Sequence, residues 1–184
     1  MFKNINKKLS ATVAILGLAV GGSAITIGSL KSTSGTTIVQ AATSTSQIKL
    51  TRTQAVKKFT QKFGNKSIES ISLKPSGNKY VYIVDGFDKT KEYEVKINAK
   101  TGKIISSKSE KLDTTDHKSA VNLKKAISRS SATKIAKKHA SGKAVKWTLE
   151  KENGKSVWVV EFANGTEVEI NALTKKVISV EKDN

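Results

Sequence analysis

The side chains that could do chemistry in this chain are few. His117 and His139 are its only imidazoles, and it has no cysteine. The lack of cysteine removes disulfides, thiol nucleophiles, Cys-ligated zinc and a lipid-modified N-terminal cysteine. His117 stands in a polar stretch beside Asp113 and Asp116, but a metal ion needs more converging ligands than that stretch supplies. It reads as a solvated loop histidine. His139 falls near the end of a predicted helix, where a cation meets the negative end of the helix dipole. Glu92 and Glu94 flank Tyr93, as Glu167 and Glu169 flank Val168. Acids two apart on a strand share one face, and without burial to shift their pKa values they read as its wetted side. The chain has no His-Glu-x-x-His pair, Gly-x-Ser-x-Gly elbow or Walker loop. No catalytic residue, metal or cofactor is expected.

Charge is the remaining chemical feature. The 184 residues carry 33 Lys and Arg against 15 Asp and Glu, a formal charge of +18. Such an excess attracts polyanions. Lys57, Lys58, Lys134, Lys137 and Lys138 lie on two predicted helices, off their apolar stripes, and are the candidates for a polyanion-facing surface. Single exposed ion pairs are weak and screened by salt, so only many acting together could hold a partner. Trp147, Trp158, Tyr80, Tyr82 and Tyr93 alternate with apolar neighbours and read as core rather than as a ligand platform.

The N-terminus decides which polyanions are within reach. Lys3, Lys7 and Lys8 precede an uncharged run from Ala11 to Leu30, and a polar stretch then leads to Val39-Gln40-Ala41-Ala42. This is the order of a secretory signal peptide, with cleavage expected between Ala41 and Ala42. The run is long enough to be an uncleaved anchor instead, but Gly17, Gly21, Gly22 and Gly28 keep it only mildly apolar. Losing residues 1–41 takes away four lysines and no acid, lowering the charge from +18 to +14. Export makes nucleic acid an unexpected partner. It leaves anionic wall polymer or a membrane surface, and a secreted or cell-surface location.

The elements that must position these residues come in two copies. Ile97-Asn98-Ala99-Lys100-Thr101-Gly102-Lys103-Ile104-Ile105-Ser106 matches Ile170-Asn171-Ala172-Leu173-Thr174-Lys175-Lys176-Val177-Ile178-Ser179 at seven of ten positions. Upstream, Leu50 to Ala55 answers to Ile127 to Ala132. The offset drifts from 77 to 73 across hairpin loops, where indels belong. In the first copy Thr51 and Gln54 have capping-box spacing, Val56, Phe59 and Phe63 share a helical face, and Gly64 is the stop. In the second, Ser128 is the cap, Ala132, Ile135, Ala136 and Ala140 form the stripe, and Gly142 is the stop. Three stretches of period-2 alternation follow each helix, as a half-buried antiparallel sheet requires. The expected turns are Pro75 to Asn78, Glu152 to Lys155 and Asn164-Gly165.

A helix, a Tyr- and Val-rich strand and an Ile-Asn-Ala-x-Thr-Gly-Lys-Ile-Ile block, found twice behind an export signal, resemble the PepSY domain. The second copy departs at Lys175, where the family has Gly. The resemblance implies an α+β fold of two tandem modules, each one helix on a three-stranded antiparallel sheet. The expected layout is a signal peptide at 1–41, modules at 47–109 and 123–184, and a linker at 110–122 whose end extends the second helix. PepSY domains occur in propeptides of secreted metalloproteases and in envelope proteins of Gram-positive bacteria. The resemblance therefore implies a non-catalytic envelope interaction module, or a regulator of a secreted peptidase acting in trans. It carries no catalytic residues.

Overall fold

A computed structural model describes residues 44–112 and 118–182. The expected signal segment with its Ala41–Ala42 junction, and His117, lie outside those residues. Each helix starts where its cap dictates. In α1 (Arg52–Phe63) the Thr51 hydroxyl accepts from the Gln54 N–H at 3.2 Å, and Gln54 Oε1 accepts from the Thr51 N–H at 2.8 Å. This reciprocal pair satisfies two N–H groups that the first turn leaves without partners. Gly64 ends the helix at φ +78°, a conformation that disfavours a side chain. In α2 (Arg129–Ala136) the Ser128 hydroxyl accepts from the Ser131 N–H at 3.1 Å.

The second helix is shorter than its stripe predicted. It ends at Ala136 rather than running to Gly142, because Lys138 and His139 donate to Ile135 and Ala136 three residues back and tighten the last turn. Lys137 becomes its cap, and Lys138 and His139 sit exposed in that turn. Nor does the connecting segment extend α2 at its start, since Ser128 caps it there.

The strands form one sheet. In chain order they are β1 (Ser67–Ser76), β2 (Lys79–Phe87), β3 (Lys91–Asn98), β4 (Ile104–Lys111), β5 (Ala144–Glu152), β6 (Lys155–Phe162), β7 (Thr166–Asn171) and β8 (Val177–Lys182). Across the sheet the order is β4-β3-β2-β1-β5-β6-β7-β8, every neighbouring pair antiparallel. Each copy thus contributes four strands, not three. The fourth strands, β4 and β8, are the outer edges, mostly exposed, and so need no apolar alternation.

The copies join through equivalent strands. β1 pairs with β5 through Ile71↔Leu149, Ser72↔Thr148 and Leu73↔Trp147. Ser72 and Thr148 correspond in the duplication and face each other, their hydroxyls 3.2 Å apart. The two modules are therefore related by an approximate twofold axis through this pair. Arg52 reinforces the join. Its guanidinium donates to the carbonyls of Leu123, Ala126 and Ile127 at 3.1–3.3 Å. One continuous core results, from Ala55, Phe59 and Tyr82 through Leu73 and Trp147 to Val160 and Ile170. A module of about 60 residues alone is marginal, and a shared core relieves that.

The repeated block has a physical reason. Asn98 Oδ1 accepts from the N–H groups of Lys100 and Thr101, and Asn171 Oδ1 from those of Leu173 and Thr174, all at 2.9–3.0 Å. The alanine after each is fully buried. Its carbonyl accepts from the residue leading into the helix, Leu50 to Ala99 at 2.8 Å and Ile127 to Ala172 at 2.9 Å. Tyr82 then donates to the Leu50 carbonyl at 3.1 Å, and the Trp158 indole to the Ile127 carbonyl at 3.0 Å. The aligned aromatics do one job in both copies. Lys175 adopts φ +67° where Gly102 has φ +72°, so the departure from the family glycine keeps the turn.

Among the differences between the two cores is an exchange of one ring. Phe59 of α1 is fully buried over Gly86, where an added Cβ would lie 2.6 Å from the Phe59 ring. The corresponding residues in the second copy are Ala136 and Phe162, both buried. The ring comes from the helix in one module and from the strand in the other.

Candidate functional site

Strand register sorts the charged side chains by face. Both helices pack on the face that carries Ile71, Tyr82, Val95, Trp147, Val160 and Ile170. Neither helix contains an acidic residue, and α1 alone carries Arg52, Lys57, Lys58 and Lys62. The opposite, open face holds Asp85, Glu92, Glu94 and Glu110 from the first module. From the second it holds Glu150, Glu161, Glu167, Glu169 and Glu181. A strongly basic chain therefore has one acidic face, and its positive excess is concentrated elsewhere. The flanking pairs Glu92/Glu94 and Glu167/Glu169 lie on the open side, as their spacing required.

Of the five lysines expected to face a polyanion, Lys57, Lys134, Lys137 and Lys138 are exposed and Lys58 is half-buried. The structure gathers two of them. Lys134 and Lys137 line a cleft of about 340 Å³ together with Arg129, Lys143, Ser130, Thr133, Thr45 and Trp147. The Arg129 guanidinium lies 4.8 Å from the centre of the Trp147 ring, within cation–π range. The Trp147 indole donates to the Thr133 hydroxyl at 2.8 Å, and that hydroxyl donates to the Arg129 carbonyl at 2.8 Å. The floor of the cleft is thus fixed by packing and hydrogen bonds. Lys57, Lys58 and Lys138 do not line it. Sequence reasoning missed Arg129 at the start of α2, Lys143 just before β5, and Thr45, which the path of the N-terminal segment brings to the cleft.

A second hollow, about 230 Å³, opens on the acidic face between Glu69, Asp85, Glu92, Glu94, Lys108 and Lys118. Lys118 reaches Glu69 at 3.2 Å and Glu92 at 3.4 Å. Burial alone would lower its pKa, but the hydrogen bond and charge of Glu69, with help from Glu92, raise it. Burial pushes the Asp85 carboxyl up to about 6, against a hydrogen bond from Ser70 at 2.8 Å and with repulsion from Glu94 and Glu69. In the second module the corresponding Glu161 is paired with Lys146 at 2.7 Å. Burial also raises Glu150 and Glu152. Among the described residues, no three His, Asp or Glu side chains converge to hold a metal ion. None of their helices is long and apolar enough to cross a membrane.

Comparison with known proteins agrees with the duplication. The model of a family described as the peptidase propeptide and YPEB domain, PepSY, matches residues 49–108 and again 126–181. Comparison with curated proteins returns no match. Among solved structures, a protein described as a putative lipoprotein from Clostridium difficile 630 aligns with a TM-score of 0.68 at 28% identity. The alignment covers 74% of this chain and 95% of that one.

Proposed function

Because this chain belongs to the PepSY family and repeats its domain twice, we propose that it is a non-catalytic extracytoplasmic protein that docks by charge at the bacterial cell envelope. The observation that carries this reading is the separation of charge. The helical layer presents lysines and arginines without an acid on either helix, while the carboxylates gather on the open sheet face. A surface of one sign attracts a polyanion over a distance of about a Debye length, roughly 8–10 Å at physiological salt. An exported chain meets wall polymer and anionic membrane, and the likeness to a putative lipoprotein supports a surface location. The sequence order at residues 1–42 supports export. The test is graded extraction of intact cells with NaCl, followed by immunoblot. Release should rise steeply with salt, and retention indifferent to salt refutes the reading.

A second reading, regulation of a secreted peptidase in trans, is supported by the family's occurrence in peptidase propeptides. It predicts inhibition of a secreted metalloprotease by the purified protein. No effect across a panel of such enzymes disposes of it.

A further inference from the structure

The duplication contains its own control. Arg52 and Arg129 hold the same position, the first residue after each helix cap. Arg52 donates to three backbone carbonyls and lies 5.9 Å from the Trp158 ring centre, so its fork is committed to joining the modules. Arg129 instead lies over Trp147 of its own module, 4.8 Å from the ring centre. Among the described residues, however, its guanidinium meets no carbonyl or carboxylate. The fork lines the cleft that Lys134, Lys137 and Lys143 also line, with the Ser130 hydroxyl beside it and no acid among the described lining residues.

The geometry points to this cleft as a binding site for the phosphodiester groups of a linear sugar-alcohol phosphate polymer, a proposal that rests on the polyanion reading above and names its ligand. A guanidinium fork matches two oxygens of a phosphate, and ammonium and hydroxyl donors arriving from other directions suit the remaining ones. A planar carboxylate offers fewer oxygens to so many donors. Nucleic acid would also need an aromatic face for its bases, whereas Trp147 is only 2% exposed and lies against Arg129. A membrane would favour apolar side chains at the rim. The exposed large apolar residues, Ile105, Leu173, Ile178 and Val180, belong instead to the outer edge strands and the β7–β8 turn.

The experiment is calorimetric titration of the protein, purified from the cells that make it, with synthetic poly(glycerol phosphate), polygalacturonate and phosphatidylglycerol vesicles. Three variants are compared: Lys134→Gln/Lys137→Gln, Arg129→Gln, and Lys57→Gln/Lys58→Gln, with circular dichroism confirming that each is folded. Poly(glycerol phosphate) should bind best. The first two variants should lose roughly tenfold or more in affinity through broken charge-assisted contacts. The α1 pair removes the same charge but should lose at most about threefold, as screened exposed charges do. The Trp147 indole resonance should shift on binding while that of Trp158 does not. Equal losses from the α1 and α2 pairs would overturn the cleft while leaving the polyanion reading intact. Equal or tighter binding of polygalacturonate or vesicles would overturn the phosphodiester polymer. Binding to no anion at low salt would overturn both readings.

Discussion

Exchanging the buried phenylalanine between helix and strand in the first module should convert its packing into that of the second. Phe59 is fully buried, and Gly86 leaves its ring the space it occupies. Phe59→Ala empties that space and should destabilise by about 3–5 kcal/mol. Gly86→Phe alone drives a ring into atoms 2.6–2.7 Å from its Cβ, namely the Phe59 ring and the Ser67 carbonyl, and should cost about 3 kcal/mol or more. The double substitution Phe59→Ala/Gly86→Phe copies the arrangement of Ala136 and Phe162. It relieves the ring clash but leaves the Ser67 carbonyl 2.7 Å from the new Cβ, so it should cost about 2 kcal/mol, less than either single variant. The coupling between the two sites is then at least about 4 kcal/mol, above the usual range for side chains in contact. Urea unfolding followed by tryptophan fluorescence measures each corner of the cycle. If the double variant is no more stable than Phe59→Ala alone, the copies do not pack equivalently and the argument from duplication fails.

Three further outcomes follow from individual residues. The fold disfavours ionised Asp85, whose pKa moves from 3.8 to about 6, so the native state binds the proton more readily than the unfolded chain between those values. Its stability contribution is full below about pH 4 and lost as the pH rises through about 6. Asp85→Asn should therefore stabilise the protein by about 1–3 kcal/mol at pH 7.5 and by almost nothing at pH 4. Urea midpoints at both pH values check this, and a gain independent of pH contradicts it. Lys175→Gly should stabilise by about 1 kcal/mol by removing a side chain from a left-handed position, and a loss on thermal unfolding would count against that turn geometry. The Tyr80 hydroxyl is buried without a hydrogen-bond partner among the described residues. Tyr80→Phe should thus be neutral or stabilising by up to about 1 kcal/mol, and a clear loss of stability would reveal a partner.

The sequence carried the parts that repeat. Capping at Thr51 and Ser128, alternation in the central strands and the repeated Asn-Ala block were readable because each is a local pattern with a local cause. The duplication then assigned Tyr82 and Trp158 to one role, and both donate to the carbonyl just before the helix cap. The edge strand β4 escaped because Ser106 to Lys111 is polar and faces solvent, leaving no alternation to detect. The end of α2 was overrun because Ala140 prolongs the stripe past the point where three-residue bonds close the helix.

The candidate site was legible only as charge. The lysines of α1 and α2 stood out, but the convergence of Arg129 and Lys143 on Trp147 depends on how α2 packs against β5. Asp85 could not be picked out as the acid burial perturbs most, since its difference from Glu161 lies in the partner strand. There Lys146 stands in the second module where Ser70 stands in the first. Both facts come from hairpin register and helix packing, which no local pattern encodes.

The claim that matters most is that the helical side, and not the open sheet, meets the envelope. Lysine acetylation footprinting by mass spectrometry, with and without purified wall polymer, reads this directly because lysines lie on both sides. The account predicts protection of Lys57, Lys58, Lys134 and Lys137, with Lys74, Lys96 and Lys155 of the open side modified as before. Protection of the open-side lysines instead, or of none, would contradict it.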